Sequence, residues 1–181
     1  MKNKKRERAL ALTCCAAMAA LMLLFTSQCS PLYPINVWGD ANCLLTVGRV
    51  MKRGGVLYRD IYEQKGPLLY LIHAAAACLS DTSFSGVYLM EIPALTAALY
   101  AAYRLMRLRA GSAFALGAAA VFGALATTGG SFMRGDSAEE FCLPLLMAAL
   151  AIAYAEYGRR AKPMRMKRLF VCGVLAGCIA T

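Results

Sequence analysis

The sequence predicts an all-α protein, a multi-span transmembrane helix bundle carrying an extracytoplasmic amphipathic juxtamembrane helix. Three observations predict it. Of the 181 residues 60 % are apolar, with a mean hydropathy of +0.53, whereas a soluble domain is about 45–50 % apolar. The excess lies in long Ala/Leu-rich blocks, and a helix needs about 20 mostly apolar residues to cross the hydrocarbon. The net charge of +10 is also localised: fourteen of the twenty basic residues fall in three short clusters between those blocks.

The clusters set the topology. They are Lys2/Lys4/Lys5/Arg6/Arg8, Arg104/Arg107/Arg109 and Arg159/Arg160/Lys162/Arg165/Lys167/Arg168. Short loops rich in lysine and arginine stay in the cytoplasm, so all three belong on one side. This placement directs the basic charge at the lipid bilayer, not at nucleic acid.

Each element then follows in order. Residues 9–26 form the first span, leading outward from a cytoplasmic N-terminus. The run is long for a signal core, and Ser27-Gln28-Cys29 is neither an A-x-A site nor a lipidation box, so the span is read as retained. Residues 27–83 form an outer loop with interfacial helices over about 41–53 and 68–79. The first is amphipathic, with Leu44, Leu45, Val47, Val50 and Met51 toward lipid and Asn42, Arg49, Lys52 and Arg53 toward water or headgroups. Gly54-Gly55 ends it, because glycine accepts the left-handed conformation beyond a helix C-terminus. The second is too short to cross; counting it as a span would also carry Arg104–Arg109 outside. Residues 84–103 return inward, 110–129 go out, 130–138 make a short outer loop, and 141–157 come back. Residues 169–181 begin an incomplete span. The chain is one transmembrane domain without internal repeat, in the cell membrane, with its acidic loops extracytoplasmic.

Eight cysteines do not form a disulfide framework. Cys14, Cys15, Cys78, Cys142, Cys172 and Cys178 lie in apolar runs, where cysteine behaves as a small hydrophobe. Cys29 and Cys43 lie in the polar loop, which leaves a pairing outside the cytoplasm open. No spacing suggests zinc.

The candidate chemistry sits in two acidic places and one basic one. Asp40, where the first span meets the loop helix, suits a general base at the membrane surface and equally suits a helix N-cap. Arg59 and Lys65, near Asp60 and Glu63, suit a lipid-linked phosphate or nonspecific contact with anionic lipid. Asp136, Glu139 and Glu140 head the run 141–157, where the macrodipole favours acids; they could also hold a divalent cation through oxygen ligands or bind a sugar hydroxyl. Adjacent Glu139 and Glu140 cannot share one helix face, so one is assigned to function and the other to solvent. Glu91, beside Pro93 within a span, reads as a hydrogen-bonded packing residue facing the bundle interior. His73, the only histidine, reads as an interfacial or core residue.

Taken together, Asp40 after the first span, the juxtamembrane helix, Tyr58-Arg59-Asp60…Glu63-Gln64-Lys65-Gly66-Pro67-Leu68-Leu69-Tyr70 and Glu139-Glu140-Phe141 resemble type C integral membrane glycosyltransferases. The branch that looks most similar contains protein O-mannosyltransferases and the lipid A aminoarabinose transferase. The resemblance runs from about residue 9 onward. It implies a polyprenyl-phosphate-linked sugar donor, inversion at the anomeric carbon, and a lipid, glycan or protein acceptor. By position it makes Asp40 the catalytic base, places Lys65 with Arg59 at the donor phosphate, and sets Glu139, Glu140 and Asp136 near the sugar or a metal. Many relatives carry two prolines after the lysine, where this chain has Gly66-Pro67. They also have more spans, so the chain is read as an amino-terminal portion of such an enzyme, truncated relative to it. The competing reading is a non-enzymatic membrane protein, such as a small transporter or an assembly subunit.

Overall fold

A computed structural model describes residues 2–157 and 165–180. Among them the protein is all-helical. Seven α-helices follow in order, α1 (Lys2–Thr26), α2 (Gly39–Lys52), α3 (Pro67–Leu79), α4 (Ser85–Met106), α5 (Ser112–Thr128), α6 (Ala138–Tyr157) and α7 (Met166–Ile179), with one 3-10 turn at Gly130–Phe132 between α5 and α6. Part of the third basic cluster, Arg159, Arg160 and Lys162, lies outside the described residues.

Two helices are long and apolar enough to cross a membrane: 22 residues of α1, Lys5–Thr26, with mean hydropathy 2.2, and 19 of α6, Ala138–Glu156, with 1.5. The sequence expectation of five spans is broader than this. Helix α5 is apolar but has 17 residues, α7 has 14, and α4 carries Glu91 and Arg104 within its length.

Helices α1, α4, α5 and α6 run between two ends. At one end Glu7 of α1 accepts from Arg107 at 2.9 Å and from the Tyr103 hydroxyl, which also meets Ser112 at the start of α5. Arg109 lies over the ring of Tyr154 near the close of α6. At the other end Ser27 donates to Glu91 of α4, and the turn between α5 and α6 reaches the same glutamate. Between the ends, Cys15, Ala19, Leu23, Leu95, Leu99, Ala115 and Ala119 form a buried core. Its small residues let the helix axes approach closely, the packing that membrane helices favour. Helix α7 lies antiparallel to α6, with Arg168 bonded to Glu156 and the Cys142 thiol near the Ile179 carbonyl.

Helices α2 and α3 form a layer over the Glu91 end. The apolar stripe of α2 does not face lipid, as its amphipathicity suggested. Leu44, Leu45 and Val47 are buried, and they pack on Leu69, Tyr70, Ala76 and Val87 of α3 and α4 and on Phe141 of α6. The approach is close: a Cβ added at Gly48 would sit 2.4 Å from the His73 carbonyl oxygen. The start of α2 lies by Ile61–Glu63, and Lys52 at its end bonds Asp81 beyond α3 at 2.9 Å. Gly54, at φ +89°, closes α2 as its sequence indicated.

No disulfide is present among the described residues. Cys29 is buried and accepts from Asn36, Cys43 is exposed on α2, and both are free thiols. The Cys29–Cys43 pairing that the sequence left open is therefore not made; Cys43, in the second turn of α2, faces solvent.

Candidate functional site

The end of the array covered by α2 and α3 gathers every acidic residue singled out above. Its centre is the turn that leads into α6. Met133, Arg134, Gly135 and Asp136 all have positive φ, from 49° to 93°, a run that only glycine adopts without cost. Gly135 is required there twice over, because a Cβ would fall 2.2 Å from Ser27 Oγ and 2.8 Å from Glu91 Oε1. This curled backbone presses the Asp136 N–H onto Glu91 Oε1 at 2.8 Å and toward Glu140 Oε2 at 3.1 Å. Ser27 Oγ donates to the same Glu91 carboxyl at 2.8 Å. The Gln28 N–H, donating to the Arg134 carbonyl at 2.7 Å, ties the first loop to the second.

Asp136 is completely buried, and its partner is His73 of α3, equally buried, with Nε2 2.6 Å from Oδ1. The other ring nitrogen, Nδ1, lies 2.8 Å from the Leu69 carbonyl oxygen. A carbonyl only accepts, so Nδ1 carries a hydrogen. A second proton must then sit between Nε2 and Oδ1, or two lone pairs would face each other. The electrostatics agree. Burial alone would lower the imidazole, but the hydrogen bond and charge of Asp136 raise it above its ordinary value. Burial raises the Asp136 carboxyl, with His73 opposing. Both shifts hold a proton in the pair.

Of the adjacent glutamates, Glu140 turns inward and is 5 % exposed, while Glu139 faces out. Two acidic oxygens in this cluster, Asp136 Oδ2 and Glu140 Oε1, are buried without a hydrogen-bond partner. Asp136, Glu139 and Glu140 do not converge as a ligand set: among the described residues no group of three or more His, Cys, Asp or Glu side chains is placed to hold a metal ion. The divalent cation considered from the sequence therefore has no cage here, because Glu139 points away and Asp136 is engaged by His73.

Lys65 stands in a second setting. Its backbone is clamped on both sides: the N–H donates to Tyr70 Oη and the carbonyl accepts from Tyr58 Oη, at 2.8 and 2.7 Å. Tyr70 is itself buried and donates to Glu63. The clamp fixes where the lysine leaves the chain and leaves its ammonium without an ion-pair partner among the described residues. Gly66 then has φ −78°, a value proline also adopts, and Pro67 opens α3 at a position that has no N–H to lose. Lys65 and Gln64 line a groove of about 280 Å³ whose other walls are mainly apolar residues of α3, α6 and α7, including Leu69, Phe141 and Leu145.

Arg59 is elsewhere. Its guanidinium grips Asp60 through Nε and Nη2, both at 2.8 Å, and Asp60 in turn accepts from the Val56 N–H at 2.7 Å. The pair closes the 56–60 turn, and Arg59 is not among the residues that line the groove. Asp40 is exposed in the first turn of α2. Trp38, not Asp40, occupies the N-cap, so the capping role considered from the sequence is not filled. Among the described residues Asp40 forms no ion pair with the other candidates. It does stand at the same end of the array as the acid cluster, through Trp38, Asn36, Cys29 and Ser27, each linked to the next by a hydrogen bond.

The sequence reading missed the His73–Asp136 pair and the role of Ser27. Histidine and aspartate are 63 positions apart, so no local pattern joins them. The one available signal was Glu91, an acid within an apolar helix, which has to be met by polar groups from elsewhere.

Comparison with protein-family models, with curated proteins and with solved structures gives no match to this chain.

Proposed function

We propose that this chain is a multi-span membrane protein that transfers a sugar from a polyprenyl-phosphate donor to a lipid, glycan or protein acceptor at the extracytoplasmic face of the cell membrane, in the manner of type C glycosyltransferases. The observation that carries the reading is the apolar groove that Lys65 lines. An isoprenoid chain needs apolar walls, and its phosphate needs a fixed cation where the walls end; α3, α6 and α7 supply the first and the clamped Lys65 the second. A belt of exposed apolar side chains supports membrane embedding of more than α1 and α6: Leu21 and Phe25 on α1, Phe114, Val121 and Leu125 on α5, and Phe170 on α7 are all at least 60 % exposed. Soluble monomers rarely expose so much contiguous apolar surface.

In this reading Asp40, exposed and unencumbered, takes the proton from the acceptor as its oxygen or nitrogen bonds the anomeric carbon. The bond from that carbon to the phosphate oxygen breaks, and the leaving phosphate keeps the electron pair against the Lys65 ammonium. Asp136, Glu139 and Glu140 do not line this groove and are given no step in the transfer. A second reading, a transporter or assembly subunit without enzymatic activity, draws on the buried Glu91–Asp136–His73–Glu140 network, because ionisable groups among membrane helices often mark ion paths.

Photo-crosslinking of a polyprenyl phosphate to the purified chain in nanodiscs decides between them. Polyprenyl phosphate is expected to label α3 and α6, free polyprenol to label far less, and Lys65→Ala to reduce phosphate-dependent labelling by about tenfold. Equal labelling by phosphate and alcohol, or no effect of Lys65→Ala, contradicts the donor site.

A further inference from the structure

The loop that leaves α1 has the wrong surface for a turn in water. Turns in water favour Gly, Asn, Asp and Ser, yet this one presents Leu32, Ile35 and Val37 outward, each more than half exposed. Helix α2, which the sequence cast as the interfacial element, buries its apolar stripe against α3 instead. The loop is also tied to the helix it leaves. Tyr33 folds back so that its hydroxyl donates to the Phe25 carbonyl at 2.7 Å, and Ser30 Oγ donates to the Leu24 carbonyl at 2.8 Å. Tyr33 therefore stands beside the last turn of α1, at the edge of the stretch Lys5–Thr26 that is apolar enough to cross a membrane. Phe25 next to it is 62 % exposed.

Hydrogen bonding supplies the independent pointer. Backbone at membrane depth has to be satisfied within the protein, whereas a loop in water can leave it to solvent. Here the chain meets most of its own needs. The N–H groups of Cys29, Ser30, Tyr33, Val37 and Trp38 donate in turn to Ser27 Oγ, the Ser27 carbonyl, the Ser30 carbonyl, Gln28 Oε1 and Asn36 Oδ1. Pro31 and Pro34 have no N–H to satisfy. The carbonyls that a helix leaves open at its C-terminus are taken as well: Leu23 accepts from the Ser27 N–H, and Leu24 and Phe25 from the two hydroxyls. Asn36 turns inward and donates to the buried Cys29 thiol.

We propose that residues 31–38 are an interfacial anchor, in which Leu32, Ile35 and Val37 enter the lipid at the boundary of headgroups and acyl chains where α1 ends. Tyr33 and Trp38 lie at that boundary, a depth that suits an apolar ring with a polar edge. The occupant is the bilayer and not a protein, because the apolar surface continues through Tyr33 onto Phe25 and Leu21 of α1, so the lipid that covers the span covers the loop. No charged residue lies between Thr26 and Asp40, so entry to the shallow depth of about 5–10 Å typical of interfacial elements buries no charge. The anchor rests on α1 crossing a bilayer, the membrane part of the reading above, and not on sugar transfer.

Trp38 is the only tryptophan in the chain, so its emission reads the depth of the loop. The whole chain is reconstituted into phosphatidylcholine vesicles and its incorporation checked by flotation. Trp38 is then quenched with lipids brominated high on the acyl chain, with lipids brominated near the chain end, and with aqueous acrylamide. The emission is expected to be blue-shifted and to lose most of its intensity to the shallow bromines, less to the deep ones and little to acrylamide. Ile35→Asp with Val37→Asp changes two exposed side chains. This variant is expected to float as before, shift its emission to the red and lose quenching by bromine while gaining it from acrylamide. Trp38→Phe with Ile35→Trp moves the reporter to the loop tip and is expected to repeat the parent pattern, so the result does not depend on how Trp38 itself packs. A floating chain quenched by acrylamide and not by bromine, or indifferent to the paired aspartates, overturns the anchor, assigns the loop to water or a protein partner, and leaves the α1 span standing. A chain that does not float overturns the anchor and the membrane reading together.

Discussion

Two carboxylates at the same end of the helix array live in opposite surroundings, and their chemistry divides accordingly. Asp40 is exposed in the first turn of α2, where the helix dipole favours its charge and solvent or substrate can reach it. Asp40→Asn is expected to abolish sugar transfer while leaving membrane insertion unchanged, checked by transfer assay beside carbonate extraction; parental transfer by the variant removes Asp40 from the base role. Asp136 is buried against His73. The folded pair retains a proton that both groups release more readily when unfolded, since both are raised above their ordinary values. Raised folded pKa values on either an acid or a base have the same consequence: the stabilisation is full below the unfolded pKa and declines as pH rises through the folded one. Thermal stability in micelles is therefore expected to fall as pH rises from 6 to 9, and Asp136→Asn to show a smaller decline together with a loss of about 1–3 kcal/mol at pH 6. A stability that rises with pH over this window contradicts the shared proton. None of this pair was legible in the sequence, where His73 is a lone histidine in an apolar run. Which of Glu139 and Glu140 turns inward was not legible either, because adjacent residues on a helix differ by orientation and not by type.

At the scale of elements, the apolar runs and the amphipathic stretch read from the sequence overlap helices of the structure. Long Ala/Leu blocks leave the backbone no other way to satisfy its N–H and C=O groups in an apolar setting, so helices at α1, α4, α5, α6 and α7 follow from composition. Their ends shift by a few residues, as at α6, which starts at Ala138 instead of 141 because Glu139 and Glu140 are accepted in its first turn. What covers a helix is less legible. The stripe of Leu44, Leu45 and Val47 is amphipathic whether it meets lipid or protein, and here it meets α3. The decisive residue is Gly48, whose missing side chain lets α2 lie against the His73 backbone. Gly48→Leu is expected to lift α2 from α3 and destabilise the fold by about 1–3 kcal/mol, seen as faster hydrogen exchange across both helices; unchanged exchange argues that the two helices are not packed as described.

At the scale of the whole molecule, the account rests on which side of the membrane each end occupies. Glu7, Arg107 and Arg109 gather at one end of the array and Glu91, Asp136 and Glu140 at the other, beneath α2 and α3. In the proposed topology the basic residues put the first end in the cytoplasm, and the proposed donor lipid meets Lys65 outside. The charge clusters carry the expected orientation; the grouping of the two loops at one end comes from long-range contacts such as Gln28 to Arg134. The most direct measurement is sided cysteine labelling with a membrane-impermeant maleimide in intact cells. In a background without cysteine, native Cys43 restored alone and Ser131→Cys, both exposed at the α2–α3 end, are compared with Leu108→Cys at the other end. Reaction at 43 and 131 before permeabilisation, and at 108 only afterward, is the outcome the account predicts. Protection of either outer position, or positions 43 and 131 reacting from opposite sides, contradicts it.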